Sequence, residues 1–265
     1  MLDFQDLVTL DTIVPMTRDF CFRKSLAGPL AKHTGLQDGY PMKIRLILPQ
    51  LIWCVVWGAT LLFSAGTSRW LSAWIYILGS LGLSLWSSHL LHRNAPDFAV
   101  ERARGPFQKG QTLSDRVVLT IMMITNAFLM IVAGMDKRFG WSDVPAGVQA
   151  TGAVLMSITA YTTYRVALEN RFAAAVVKIQ KDRGHKVIDT GPYQYVRHPM
   201  YTGLIFRIIG APLLLGSWWG LCPASVSIIL VVVRILLEEK VLRTGLEGYK
   251  RYIERVRYRL IPLVW

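Results

Sequence analysis

The densest set of polar and cationic side chains lies in the short segment TGPYQYVRHPMYTG, residues 190–203, between two apolar runs. Pro199 moves the residue before it out of the helical region and can itself begin a helix. Arg197 and His198 are therefore predicted to end a loop, with Tyr201 in the first turn of the next helix. Such a loop can bind a polar ligand at a membrane surface. It can also simply anchor the helix at the lipid headgroups.

A second set of ionisable groups lies inside an apolar run, in IILVVVRILLEE at residues 228–239. Ionisable residues within a membrane segment are costly and are functional candidates by default. Arg234 and Glu238 are four residues apart, so on a helix they share a face and can pair. One glutamate suffices to neutralise one arginine, whereas Glu239 follows directly on the adjacent side. The pattern therefore favours a site over a purely structural pair.

The composition points to a membrane protein. The chain has 265 residues, of which 52% are hydrophobic, and its formal net charge is +13. Mean hydropathy is +0.36, which is too apolar for an ordinary soluble domain. The cations cluster between apolar segments, so anionic headgroups are expected as partners and nucleic acid is not. The three cysteines and the scattered histidines show no spacing for a metal site or a disulfide, and no metal is predicted.

The apolar pattern predicts an all-α, polytopic membrane protein with about six transmembrane helices. The first four predicted segments are long enough to cross a hydrocarbon core of roughly 30 Å, and the last two form a tight helical hairpin. Residues 1–42 are predicted to form an interfacial arm, and residues 43–265 a membrane-embedded domain. The predicted segments are 44–63, 70–91, 115–135, 147–168, 201–217 and 221–237.

Lysines and arginines predict the orientation. Connections that are rich in these residues alternate with connections that are poor in them; Arg93, Arg102 and Arg104, for example, lie together in a rich one. By the positive-inside rule, both termini and the loop at 190–203 face the cytosol. Residues 170–182 have apolar side chains at helical spacing and are predicted to form an interfacial helix. Residues 239–257 are predicted to be amphipathic and basic.

These motifs, taken in order, resemble the isoprenylcysteine carboxyl methyltransferase family of integral membrane enzymes and their relatives, the phospholipid N-methyltransferases. The resemblance covers residues 178–262. It departs from the family in the tail, where relatives commonly have Phe-Gly-x-x-Tyr. The residues that carry it are Gly191-Pro192-Tyr193, Arg197-His198-Pro199-x-Tyr201-x-Gly203, Arg234-x-x-x-Glu238-Glu239, Tyr249-x-x-Tyr252 and Pro262.

The resemblance implies S-adenosylmethionine as methyl donor, bound in a cytosol-facing pocket. It also implies a lipophilic acceptor at the membrane interface, most simply the carboxylate of a prenylated cysteine. Arg234 would contact the acceptor, and Arg234 and Glu239 are the candidate catalytic residues. The candidate cofactor-binding residues are His185, Lys186, Val187, Ile188, Tyr193, His198, Pro199, Met200, Tyr201 and Glu238.

Other readings remain open from the residues. The acceptor could be a lipid amine or a small thiol. The sterol and steroid double-bond reductases, which use NADPH, also carry His-Pro-x-Tyr near the C-terminus and a tail similar to residues 258–262. They usually have Asn where this chain has Met200 and an acid where it has Leu204. A membrane transporter or scaffold that keeps the fold is the third alternative.

Overall fold

The computed structural model describes residues 42–108 and 110–265, and the predicted N-terminal arm lies outside the described residues. The described part is helical and contains no strand, which confirms the predicted all-α class. The helices are α1 (Met42–Ala65), α2 (Leu71–Asn94), α3 (Pro96–Ala103), α4 (Leu113–Phe139), α5 (Ala146–Glu169), α6 (Pro199–Leu215), α7 (Leu221–Gly245) and α8 (Tyr249–Arg255).

Each of the six predicted apolar segments coincides with one long helix. Helices α1, α2, α4 and α7 are long and apolar enough to cross a membrane. Helix α6 is apolar but has only 17 residues. The chain is thus a polytopic membrane protein, and the count of six spans stays a prediction. Helix α7 extends well beyond the predicted segment, to Gly245, and carries Glu238 and Glu239 within its regular backbone.

The six long helices form a closed ring. Helix α1 packs on α2 and α4, α4 on α7, α7 on α6, α6 on α5, and α5 on α2. Each helix therefore presents one face to its two neighbours and another to the middle of the ring. The short helix α3 packs beneath α2 and α1. Because no single helix fills the centre, this arrangement leaves interior space that the inward-facing side chains line.

The tightest contact in the ring is between α5 and α6, and it depends on glycine. A Cβ atom on Gly152 would lie 2.4 Å from the backbone N of Leu214 and 2.6 Å from the carbonyl O of Gly210. A Cβ atom on Gly210 would in turn lie 2.7 Å from the carbonyl O of Gly152. Small residues at such crossings let helix backbones approach closely, which is how helices associate in lipid.

Residues 170–182 do not form the predicted interfacial helix. Several backbone groups of this segment bond to side chains instead of forming a helical ladder. Gln180 donates from Nε2 to the carbonyl O of Phe172 over 2.6 Å, and the Val177 amide donates to Asp115 over 3.0 Å. Helix spacing on its own could not reveal these partners. Irregular backbone of this kind is tolerated in a membrane protein where it is buried in protein or lines a cavity.

The C-terminal tail binds the loop that contains the motif. The amide of Arg197 donates to the carbonyl O of Tyr258, and the amide of His198 to that of Arg259, both over 2.9 Å. Thr202 Oγ1 adds a bond of 2.8 Å to the carbonyl O of Leu260. The loop and the basic tail therefore lie at the same end of the ring.

Candidate active site

A cavity of about 810 Å³ occupies the middle of the helix ring. One end is lined by the motif loop, the segment 173–178 and helix α8, and it is rich in polar and charged groups. The other end lies between the long helices and is lined by more apolar than polar residues, Trp53, Trp57 and Met122 among the apolar ones, although Arg207 and several serines also lie there. The cavity thus joins a polar compartment to an apolar one. Its size is within the roughly 300–1,000 Å³ of known ligand pockets.

Nearly all of the predicted cofactor-binding residues line this cavity. The four consecutive residues 185–188 line the cavity, as do Tyr193, His198, Met200 and Tyr201 of the motif and Glu238 of α7. Pro199 is not among the lining residues. It stands at the first position of α6, where its fixed φ suits helix initiation, so its place in the motif is explained by the backbone.

Tyr193 is fixed from two sides. Its hydroxyl accepts a hydrogen bond of 2.8 Å from Asn170 Nδ2, and its carbonyl O accepts one of 2.8 Å from the hydroxyl of Tyr252. Burial raises the pKa of both tyrosines, with Glu238 adding to the effect at Tyr193 and Asp189 at Tyr252. Both phenols therefore stay protonated, and the aromatic rings form a rigid, neutral part of the wall.

His185 is stacked on Phe172, with ring centroids 4.7 Å apart. Burial lowers the pKa of His185, and the nearby Arg183 lowers it further, against the opposing effect of Glu238. The imidazole is therefore neutral at physiological pH. A neutral, stacked ring offers a flat apolar face and one ring N–H donor to the cavity.

Glu238 is held by the motif rather than by its own helix. The hydroxyl of Tyr201 donates to Glu238 Oε2 over 2.7 Å. The ring of His198 lies against that of Tyr201, with centroids 5.8 Å apart. The first turn of α6 therefore positions one acid of α7 at the cavity.

Arg234 does not pair with Glu238, although their spacing on a helix allows it. Its Nε donates to Asp115 Oδ1 over 2.9 Å, and its Nη2 donates to the carbonyl O of Ala175 over 2.5 Å. Its side chain is 9% exposed and that of Asp115 is 0% exposed. Arg234 therefore faces the protein interior instead of lipid, and it lines the cavity. The acid that neutralises it comes from the first turn of α4, 119 residues away in sequence.

Glu239 lies at the centre of a cluster of cations and is not among the residues that line the cavity. Its carboxylate is 2.8 Å from Arg197 Nη1, 3.4 Å from His198 Nε2, 3.2 Å from Arg243 and 3.2 Å from Arg259. The side chain is only 4% exposed. Glu239 thus joins the motif loop, helix α7 and the C-terminal tail.

Two charged residues near the cavity, Asp115 and Arg102, were not predicted as site residues from the sequence. Asp115 followed a turn at the start of an apolar run, which is also where an ordinary helix-capping acid lies. Arg102 counted only as one of several cations in a connection. In the structure Asp115 is the partner of Arg234, and Arg102 lies on the cavity wall.

Comparison with known proteins agrees with the motifs. Residues 148–247 match the model of the family described as phospholipid methyltransferase. The chain is also 32% identical over 113 residues to the Protein-S-isoprenylcysteine O-methyltransferase of Saccharomyces cerevisiae. That alignment spans 40% of this chain and 45% of the yeast enzyme, which is less than half of either protein. Part of the chain is thus similar to membrane methyltransferases of the phospholipid and isoprenylcysteine type.

Proposed function

We propose that this protein is an S-adenosylmethionine-dependent methyltransferase that methylates a carboxylate on a lipophilic acceptor of the isoprenylcysteine kind. The observation that carries the proposal is the single cavity with a charged end and an apolar end. A polar donor and the head of an acceptor can meet in the charged end. The acceptor's tail can extend between the long helices.

The residues at the charged end suit the methyl donor chemically. S-adenosylmethionine combines a sulfonium and an amino group with a carboxylate, so its site needs groups of both signs. Glu238 supplies the negative charge. Among the described residues, Arg197 Nε and the hydroxyl of Tyr249 are buried atoms without a hydrogen-bond partner, and both residues line the cavity. Such unsatisfied buried groups are costly unless a ligand completes them.

The charges on the cavity wall favour an anionic acceptor over an amine. Among the lining residues that the structure describes, Glu238 is the single acid. The lysines and arginines that line the cavity are Lys178, Lys186, Arg102, Arg197, Arg207 and Arg234. A cationic or amine headgroup would meet repulsion here, whereas a carboxylate would be attracted.

A carboxylate acceptor also explains why the site needs no general base. S-adenosylmethionine, when bound, supplies a methyl group whose carbon–sulfur bond breaks toward sulfur as a carbon–oxygen bond forms to the carboxylate, and no proton moves. The residues of this chain therefore have to position the acceptor and exclude water. Alignment of reacting groups can contribute about 7–11 kcal/mol in favourable cases. The rigid wall around Tyr193 and Tyr201 suits that task.

Of the two predicted catalytic residues, Arg234 lines the cavity and Glu239 does not, which supports a role at the acceptor for Arg234 alone. Its guanidinium is fixed by Asp115 and by the carbonyl O of Ala175, so it contributes a positive charge at a constant position on the wall. For Glu239 we propose a structural role, because its carboxylate already contacts three arginines and the ring of His198.

The proposal is tested first by binding. Calorimetry on the purified protein in detergent should show binding of S-adenosylmethionine and none of NADPH. Glu238→Gln should weaken that binding, whereas Glu254→Gln, a change at an exposed acid in α8, should leave it unchanged. Binding of NADPH in place of S-adenosylmethionine would instead support the reductase reading, and binding of neither would support a transporter or scaffold.

The acceptor class is tested with compounds that share one prenyl tail. An S-prenylated N-acetylcysteine, its carboxamide and a prenylated amine are incubated with radiolabelled S-adenosylmethionine. We expect only the carboxylate to be methylated, with the label released as methanol by mild base because the product is an ester. Comparable transfer to the amine, stable to base, would overturn the carboxylate assignment while leaving methyl transfer intact.

A further inference from the structure

The short helix α3 places two adjacent charged residues in different surroundings. Phe98 and Ala99 are buried and fix the helix against Leu91. Glu101 is 1% exposed, and its Oε1 lies 2.6 Å from Lys178 Nζ in an ion pair. The following residue, Arg102, lies instead on the wall of the cavity. The packing of α3 therefore delivers one specific cation into the site.

Arg102 differs from the other arginines near the charged end. Arg234 is paired with Asp115, and Arg197 is paired with Glu239. Within the described part of the chain, no carboxylate forms an ion pair with Arg102. Its Nη2 donates instead to the thioether of Met200 over 2.7 Å, and its Cζ lies 5.4 Å from the centre of the Phe98 ring. A thioether is only a weak acceptor.

The electrostatic surroundings of Arg102 are those of the reacting site. Burial lowers its pKa, and the neighbouring Arg234 lowers it further. Tyr201, Tyr193 and Glu238 act in the opposite direction, which places all of them near this guanidinium. A partly buried cation beside a second arginine is costly unless an anion joins it.

We propose that Arg102 is the residue that binds the acceptor carboxylate. This inference rests on the proposed function, because it names the group that holds the anionic acceptor. Arg102 still has donors that no protein acceptor uses, and a planar guanidinium can hold a carboxylate through two parallel hydrogen bonds. Arg234, whose Nε and Nη2 are engaged by Asp115 and Ala175, then acts as a fixed charge beside it.

The assignment has a consequence for turnover. Methylation removes the negative charge from the acceptor, so the ion pair with Arg102 exists in the substrate complex and is lost in the ester product. Arg102 therefore favours the acid over the ester and promotes product release. Because the charge is already partly lost in the transition state, the interaction stabilises the substrate complex more than the transition state.

The decisive experiment compares Arg102→Gln with Arg102→Lys and with the control Arg104→Gln. Arg104 is two residues away, is not a cavity-lining residue and pairs with Glu101 at 3.1 Å. Equilibrium binding of the tail-matched acid and its methyl ester is measured for each, together with KM, kcat and the Kd of S-adenosylmethionine. The binding measurement does not depend on methyl transfer.

For Arg102→Gln we expect acid binding to weaken at least tenfold, which corresponds to about 1.4 kcal/mol, with ester binding unchanged. KM for the acceptor should rise, and kcat should stay the same or increase, because the lost interaction stabilises the substrate complex more than the transition state. Arg102→Lys should be intermediate, because it keeps the charge without the planar fork, and Arg104→Gln should resemble the wild type.

Two results would overturn the inference. Unchanged preference for acid over ester in Arg102→Gln would mean that Arg102 does not bind the acceptor. Weaker S-adenosylmethionine binding with normal acid binding would mean that Arg102 holds the carboxylate of the donor. Failure of the proposed function is a separate result, since it is loss of methyl transfer in the wild-type protein, whatever its preference for acid over ester.

Discussion

The buried ion pair of Asp115 and Arg234 leads to a quantitative prediction of stability. Asp115 accepts three hydrogen bonds, from Gln111 Nε2 at 2.8 Å, from the amide of Val177 at 3.0 Å and from Arg234 Nε at 2.9 Å. It therefore connects the start of α4 to the middle of α7 and to the irregular segment at the cavity. Removal of either charge leaves the other charge buried without its counter-ion.

The expected cost follows from burial and contact number. The two side chains are 0% and 9% exposed, so solvent screens the pair little. Breaking a buried pair by removing one partner costs about 3–5 kcal/mol. The hydrogen bonds lead to a similar figure, since Arg234 donates two and a bond that involves a charged group contributes about 1.5–3 kcal/mol. Asp115→Asn and Arg234→Met are each expected to lower the free energy of unfolding by about 3–5 kcal/mol.

The assay is a double-mutant cycle on stability in mixed detergent micelles. Asp115→Asn combined with Arg234→Met removes both charges, so it should be less damaging than the sum of the same two single changes by at least about 2 kcal/mol. The exposed pair of Asp189 and Arg255 is the control, and its disruption should cost about 0–1 kcal/mol. Single effects that add to within about 0.5 kcal/mol would refute the pair as a coupled, buried interaction.

Three further predictions concern pH, packing and orientation. The pKa of His185 is lower in the folded protein, so on acidification the unfolded chain binds a proton first, and stability should fall as pH drops below about 6.5. The variant His185→Phe keeps the stacking on Phe172, and its thermal unfolding should be less sensitive to acid. Gly152→Ala should destabilise by at least about 1–3 kcal/mol because of backbone contact, whereas Gly147→Ala, with open space around it, should not. A reporter fused after Trp265 should be accessible from the cytosol only.

The fold class and the positions of the long helices could be predicted because both depend on local sequence. Apolar length determines where a helix can cross a membrane, and all six predicted segments coincide with helices. Proline at the start of α6 and glycine after it mark the ends of that helix in the sequence. The ring order could not be predicted, because it depends on contacts such as that between Gly152 and Gly210, which leave no periodic trace.

Most of the predicted cofactor residues line one cavity, and their role stays a prediction. The motif brought together the residues at 185–188, Tyr193 and Glu238, which share one cavity wall. Spacing on a helix also allowed Arg234 and Glu238 to pair, since residues four apart on one helix can do so, but the structure pairs Arg234 with Asp115. Asp115 is fully buried and comes from another helix.

The two consecutive glutamates of α7 show how the backbone separates functions that sequence places side by side. Successive residues on an α-helix point about 100° apart, since 3.6 residues make one turn. Glu238 therefore faces the cavity and Tyr201, whereas Glu239 faces the tail, where Arg197 and Arg259 contact it. Glu239 also links the backbone of the loop to that of the tail. The amide-to-carbonyl hydrogen bonds between these two segments involve Arg197 and Arg259, the arginines that Glu239 contacts. The acid that is not in the cavity thus positions the loop that carries the cavity wall, so either glutamate can be essential to the protein without both touching a ligand.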